Sequence, residues 1–209
     1  MGFQMYVPTR LIFGSGSLDK LKDQKMPGKK AMIITSRGKS SITNGSLERT
    51  RRMLKEAGVE TVLFNKIPAN PTKTLVAEGA QAVRDNGCDF IVAIGGGSVM
   101  DASKAIAMLA PNKGDLWDYV FGGTGKGKTI ENPTLPVVCI TTTAGTGSEA
   151  DPWGVVTNEE TNEKIGCGGY DSLFPVFSII DPELMKSVPA KFTAYQGFDA
   201  LFHSTEGYI

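Results

Sequence analysis

From Lys30 onward, short runs of apolar residues alternate with longer stretches of helical periodicity. Ala31 to Thr35 (AMIIT) reads as a strand that leads through a Gly/Ser/Lys loop into a helix over about Leu47 to Ala57, ended by Gly58. Thr61 to Phe64 (TVLF) reads as the next strand. Asn70-Pro71-Thr72 then opens a helix reaching about Asn86, where Gly87 is placed as a C-terminal cap. Asp89 to Ile94 (DFIVAI) and Leu135 to Ile140 (LPVVCI) are continuous apolar runs, the mark of strands buried on both faces. Between them a helix carries apolar positions at Val99, Ala102, Ala105, Ile106 and Leu109. Strands alternating with helices predict an α/β fold, an open parallel sheet with crossover helices on both faces. Each strand then ends in a loop rich in Gly, Thr or Ser, where such sheets bind ligands.

The chain after Asp151 reads differently. Gly154 to Thr157 and Lys164 to Cys167 are short strands, VFSIID is extended, and residues 190–209 are helical. That last segment carries no Gly, Pro or basic stop signal. Its Leu201, Phe202, Tyr208 and Ile209 have little left to pack against, so we expect this chain to be part of a larger protein.

Composition narrows the partners. The 209 residues carry 22 Lys and Arg against 22 Asp and Glu, a formal charge of zero that offers no footprint for nucleic acid or an anionic membrane. The apolar runs fall far short of the roughly 20 residues that cross a bilayer, and the N-terminal MGFQMYVPTR lacks the charged and apolar regions of a signal peptide. A cytoplasmic location is expected. The three cysteines, Cys88, Cys139 and Cys167, are too scattered for a disulfide framework or a metal ribbon and read as reduced thiols.

Three motifs carry candidate chemistry. The first is Gly95-Gly96-Gly97-Ser98 between strand and helix, where glycines allow close approach, Ser98 is placed to cap, and helix amides converge on an anion such as a pyrophosphate. Asp101 and Lys104 follow one turn later on a shared face, where their plainest reading is a surface ion pair. The second, Gly122 to Thr129 (GGTGKGKT), matches the P-loop pattern G-x-x-x-x-G-K-[ST]. Pro133 and Pro136 stand where its helix should begin, so a mobile basic loop is the better reading. Gly145 to Ala150 likewise fits a loose G-x-G-x-x-A without the downstream acidic partner. The third is Asp199 and His203, the only histidine, at i, i+4 on one helical face. They could share a divalent metal or form a hydrogen-bonded pair, and two ligands alone leave a metal site incomplete.

Taken in order, Asn70-Pro71-Thr72, GGGSVMDASKAIA (95–107), TTAGTGSE (142–149) and GFDALFHSTEGYI (197–209) resemble the iron-dependent (group III) alcohol dehydrogenase family. The resemblance implies a Rossmann-like domain over residues 1–185 that binds NAD or NADP. Residues 186–209 would begin a helical metal-binding domain, most of which is absent here. It further implies that Gly96, Gly97 and Ser98 bind the cofactor pyrophosphate, that Asn70 and Asp101 line the same cleft, and that Thr142 and Thr143 contact the nucleotide. Lys164 resembles a lysine that reaches the nicotinamide side. Asp199 and His203 match two metal ligands, for iron(II) or, in some members, zinc, with two further histidines expected in the helical domain. Thr141 departs from a family proline, a change expected to affect only backbone stiffness.

The loop Ser36-Arg37-Gly38-Lys39 bears on cofactor choice. Members that prefer NAD commonly place an Asp there, whose carboxylate binds the ribose hydroxyls and repels a 2′-phosphate. This loop has cations and no carboxylate, resembling the NADP-using butanol dehydrogenase branch, so NADP is favoured over NAD. The implied reaction is hydride exchange between a small alcohol, or its aldehyde or ketone, and the cofactor, by a homodimer. Two alternatives stay open: a nucleotide-binding fragment without catalysis, and a relative such as dehydroquinate synthase or glycerol-1-phosphate dehydrogenase.

Overall fold

The computed structural model describes Gly2 and residues 4–209; Met1 and Phe3, on which part of the N-terminal reading rests, lie outside the described residues. In chain order the elements are β1 (Arg10–Phe13), β2 (Lys30–Ser36), α1 (Ser40–Thr43), α2 (Ser46–Glu56), β3 (Glu60–Ile67), α3 (Lys73–Asn86), β4 (Phe90–Gly95), α4 (Gly97–Leu109), β5 (Val137–Thr141), β6 (Trp153–Asn158), β7 (Glu163–Gly168), β8 (Phe177–Ile180) and α5 (Ala190–Glu206), with short 3₁₀ turns between some of them.

Six strands form one sheet in the order β1-β8-β5-β4-β2-β3, and every pairing in it is parallel. Every residue of β4 and β5 is buried, which explains why neither strand shows polar alternation in the sequence. One face is covered by α3 and α4, whose Val76, Ala80, Val83, Val99, Ala102 and Ile106 pack on Met32, Ile34, Ile91 and Cys139. The other face is covered by α2 and the 3₁₀ turn Ser17–Asp23, through Leu47, Met53, Leu54, Leu18 and Leu21. Helices therefore flank both faces, as the apolar pattern predicts.

Strand order reverses at β2, which has β3 on one side and β4 on the other. At such a switch point the loops leaving the C-terminal strand ends diverge and open a crevice. The loops after β2, β4 and β5 all emerge there because the strands are parallel.

The tail resolves into a β6–β7 antiparallel hairpin, with Thr157 opposite Lys164, standing outside the main sheet. It packs on α4, where Gly154 lies so near the Asp101 backbone that a Cβ would stand 2.7 Å from the Asp101 carbonyl oxygen. Contrary to the sequence reading, α5 does have a stop signal: it ends on Gly207, whose amide donates to the His203 carbonyl at 3.1 Å. The helix has no buried residue, and Phe192, Phe198, Leu201 and Phe202 are each more than half exposed. No helix among the described residues is long and apolar enough to cross a membrane.

Two expectations need correction. The segment Gly122–Thr129 has no helix after it, as its prolines require, but it is tied down rather than left as a loose basic loop. Its Lys126 and Lys128 amides donate to the Trp117 and Asp118 carbonyls, and both ammonium groups pair with Asp118. The Thr124 amide donates to Glu163 Oε1 at 2.9 Å, fastening the segment to β7. Lys104 makes no surface ion pair with Asp101: it is completely buried and binds Asp151 instead.

Candidate functional site

The turn from β4 into α4 builds one end of the site. Gly96 caps α4 with an extended backbone, and its carbonyl accepts the amides of Val99 and Met100. The first amides of a helix have no intrahelical acceptor, so those at this end are available to an anion. Side chains would not fit here. A Cβ on Gly96 would sit 2.7 Å from Thr143 Oγ1, and one on Gly97 would sit 2.9 Å from Thr146 Cγ2.

Ser98 does not cap the helix, contrary to its sequence reading, because it lies inside the first turn. Its Oγ instead accepts the Asn70 amide at 3.3 Å. Asn70 adopts a left-handed backbone with φ 57°, a conformation that few residues other than Gly take and that Asn tolerates best. The Asn70 Oδ1 in turn accepts a hydrogen bond from Lys164 Nζ at 2.8 Å. Residues from the loop after β3, from α4 and from the hairpin are thus linked in a row.

Asp101 faces the same space. Its Oδ1 accepts the Ser148 hydroxyl at 2.7 Å and its Oδ2 accepts the Val155 amide at 3.0 Å. Burial pushes its carboxyl above the ordinary value, opposed by these two hydrogen bonds and by the Lys104 charge.

On the opposite wall stand Asp199 and His203. Their side chains lie on one face of α5, with His203 Nε2 3.6 Å from Asp199 Oδ1. That separation is too long for a hydrogen bond, so the pair is not consumed by its own contact. A carboxylate oxygen and an imidazole nitrogen this close suit one shared divalent ion. The donor set fits an iron or zinc ion as far as it goes. Among the described residues no group of three or more His, Cys, Asp and Glu side chains gathers as a metal site. The position of α5 depends on Gly145, whose φ of 105° favours glycine and where a Cβ would stand 2.6 Å from Asp199 Oδ2. The Ala144 amide also donates to Gln196 Oε1 at 3.0 Å.

These residues line one cavity of about 510 Å³, whose wall includes Asn70, Gly97, Ser98, Asp101, Lys164, Asp199 and His203. Sequence reasoning missed Thr146, Ser148 and Asp151 in that wall, although all three lie in or beside the TTAGTGSE string that it singled out. Thr142 and Thr143 line a second cavity, of about 290 Å³, with Ser40, Asn44, Leu184 and Phe192. Gly96, backed by Thr143, lines neither. Ser36, Arg37, Gly38 and Lys39 line neither cavity: Ser36 ends β2 beside Ile67, and the Arg37 amide donates to the Ile67 carbonyl. Gly145 to Ala150 forms turns and no helix, so its loose glycine pattern does not build a second dinucleotide fingerprint.

Residues 8–182 match the family model described as iron-containing alcohol dehydrogenase. The chain is 39% identical over 209 residues to 1,3-propanediol dehydrogenase of Klebsiella pneumoniae, covering 99% of this chain and 52% of that protein. It is 36% identical over 210 residues to NADH-dependent butanol dehydrogenase A of Clostridium acetobutylicum, covering 100% of this chain and 52% of that protein. Among solved structures, NADH-dependent butanol dehydrogenase A of Thermotoga maritima superposes with a TM-score of 0.88 at 32% identity, over 97% of this chain and 50% of that one. The chain spans about half the length of the curated relatives it matches. With the parallel sheet, the glycine turn and the motif order all in agreement, the chain belongs to the iron-containing alcohol dehydrogenase family.

Proposed function

We propose that these residues form the cofactor-binding half of a metal-dependent alcohol dehydrogenase, which exchanges hydride between a small alcohol or its carbonyl product and NAD(P). The observation that carries this reading is the single cavity in which the α4 N-terminus, Asn70, Asp101 and Lys164 face Asp199 and His203.

In this reading residues 1–185 bind the dinucleotide and residues 186–209 begin the metal-binding part. The pyrophosphate lies against Gly96, Gly97 and Ser98, where amides rather than side chains meet it. The adenosine end occupies the smaller cavity beside Thr142 and Thr143, and the nicotinamide end enters the larger one beside Asn70, Asp101 and Lys164. Asp199 and His203 would hold iron(II), or zinc, with further ligands from outside these 209 residues. A bound ion would supply Lewis-acid polarisation to a substrate oxygen. The chain's own groups orient the reactants: Lys164, held on Asn70, supplies a cation at the hairpin wall, and Asp101 offers an oriented acceptor.

NADP is favoured over NAD because the loop after β2 presents Arg37 and Lys39 and no carboxylate. Relatives named NADH- or NAD-dependent include the butanol dehydrogenases of Clostridium acetobutylicum and Thermotoga maritima and the methanol dehydrogenase of Bacillus methanolicus, so the preference rests on that loop alone.

Fluorescence titration of the purified chain with NADPH tests the reading. Saturable binding that is lost in Gly97→Ala is expected. Absence of binding to both NADPH and NADH at millimolar concentration would sink it. By itself the chain, with two ligands from α5, is expected to bind cofactor weakly and not to oxidise short primary alcohols with added iron(II); robust turnover would overturn the assignment of ligands to outside it.

A further inference from the structure

Lys104 is completely buried in the middle of α4, although lysine is almost never fully inside a protein unless it is paired. An ammonium group has three donors, and the structure accounts for all of them. Lys104 Nζ donates to Ser148 Oγ at 2.9 Å, to Asp151 Oδ1 at 3.0 Å and to the Trp153 carbonyl at 2.7 Å. One side chain therefore ties the central helix to the loop after β5 and to the first residue of β6. The contact with Ser148 has a further consequence. Because the Ser148 oxygen accepts from Lys104, its own proton points elsewhere, and it is donated to Asp101 Oδ1 at 2.7 Å. With the Val155 amide on Oδ2, both oxygens of Asp101 are fixed on the cavity wall.

We propose that Lys104 is a positioning residue for the cofactor site: through the Ser148 hydroxyl it holds the Asp101 carboxylate in one orientation toward the cavity. Lys104 does not itself line that cavity, so it acts only through its partners. The inference rests on the cofactor-binding reading and names a residue that this reading does not require. Sequence spacing pairs Lys104 directly with Asp101, three residues earlier. The structure routes the connection through a serine 44 positions away.

A double-mutant cycle on the purified chain tests it, with NADPH affinity measured for wild type, Lys104→Met, Asp101→Asn and the double variant. A positioning role predicts that Lys104→Met weakens NADPH by about tenfold and that most of this loss disappears when Asp101 is already Asn, since members of one network are not additive. A role confined to packing predicts equal losses in both backgrounds, which would overturn the proposal. Ser148→Ala cuts the same link without removing a buried charge and stands in should Lys104→Met fail to fold; it is expected to reproduce the weakening with little change in Tm.

The second readout is the titration midpoint of the Asp101 side-chain carboxyl by carbon-13 NMR. The groups facing that carboxyl are the Ser148 hydroxyl, the Val155 amide, the Lys104 ammonium and the Asp151 carboxylate. The midpoint is expected to rise in Lys104→Met and in Ser148→Ala, and an unchanged midpoint in Ser148→Ala would overturn the link. Should wild type bind no NADPH, the cofactor reading fails, while this midpoint still decides whether Lys104 orients Asp101 through Ser148.

Discussion

Lys164 on β7 donates a hydrogen bond to the side chain of Asn70 across 94 positions of sequence, at 2.8 Å. Asn70 simultaneously gives its amide to Ser98 at the head of α4. The bond from Lys164 therefore joins the hairpin to the turn where the anion-binding amides lie, and it holds a cation at the cavity without burying it.

Removing that cation should affect binding far more than folding. Lys164→Ala is expected to weaken NADPH by about tenfold, or ~1.4 kcal/mol, while stability stays within about 0.5 kcal/mol because the side chain is exposed. Parallel ligand titration and urea denaturation measure both. A stability loss with unchanged affinity would mean that Lys164 serves only to fasten the hairpin.

Gly97 is tested by filling the space that its missing side chain leaves. Alanine favours a helix by about 1 kcal/mol over glycine, yet a Cβ here meets the Thr146 methyl at 2.9 Å. Gly97→Ala is expected to lose some stability, because Thr146 must shift, and to lose most of its cofactor affinity. Adding Thr146→Ser, which deletes that methyl, should restore part of the affinity. No recovery would place the obstruction at the ligand itself.

The loop after β2 is tested by charge removal. Arg37→Ala combined with Lys39→Ala should weaken NADPH more than NADH, read as the ratio of the two dissociation constants. Equal losses would remove the 2′-phosphate reading and leave these residues as solvated charges.

For the metal site, the suitable protein is a longer form that carries the family's remaining length. Asp199→Ala or His203→Ala should abolish retention of iron(II) or zinc after gel filtration, measured by elemental analysis. Full retention in both variants would place the metal elsewhere.

Two buried thiols give a pH signature of their own. Burial pushes Cys139 and Cys167 up to about 12. An unfolded thiol ionises near pH ~8.5, so between these values the unfolded chain gains ionisation that the folded one resists. Stability is therefore intact below pH ~8.5 and declines as pH rises toward about 12. Denaturant midpoints across this range should fall, and the fall should be shallower in Cys139→Ala. A thiol reagent at pH 8 should leave both cysteines unmodified until the protein is unfolded.

The sequence by itself determined the succession of strands and helices, because burial on both faces writes continuous apolar runs into β4 and β5, and the apolar positions of α4 recur at helical spacing. It also marked the glycine turn at residues 95–98 and placed Asp199 and His203 on one helical face, since each is a matter of a few consecutive residues. It misleads at Ser98, whose spacing suggests a cap although it stands two residues beyond the cap position Gly96, and at Lys104, whose spacing suggests a surface charge. Only the tertiary structure decided those two, together with the left-handed Asn70, the division of the crevice into two cavities and the anchoring of Gly122–Thr129 to Glu163. Each depends on partners tens of residues away, brought together by the packing of a hairpin and a loop onto α4. Local periodicity records which face of an element is buried. It does not record which polar groups will meet there.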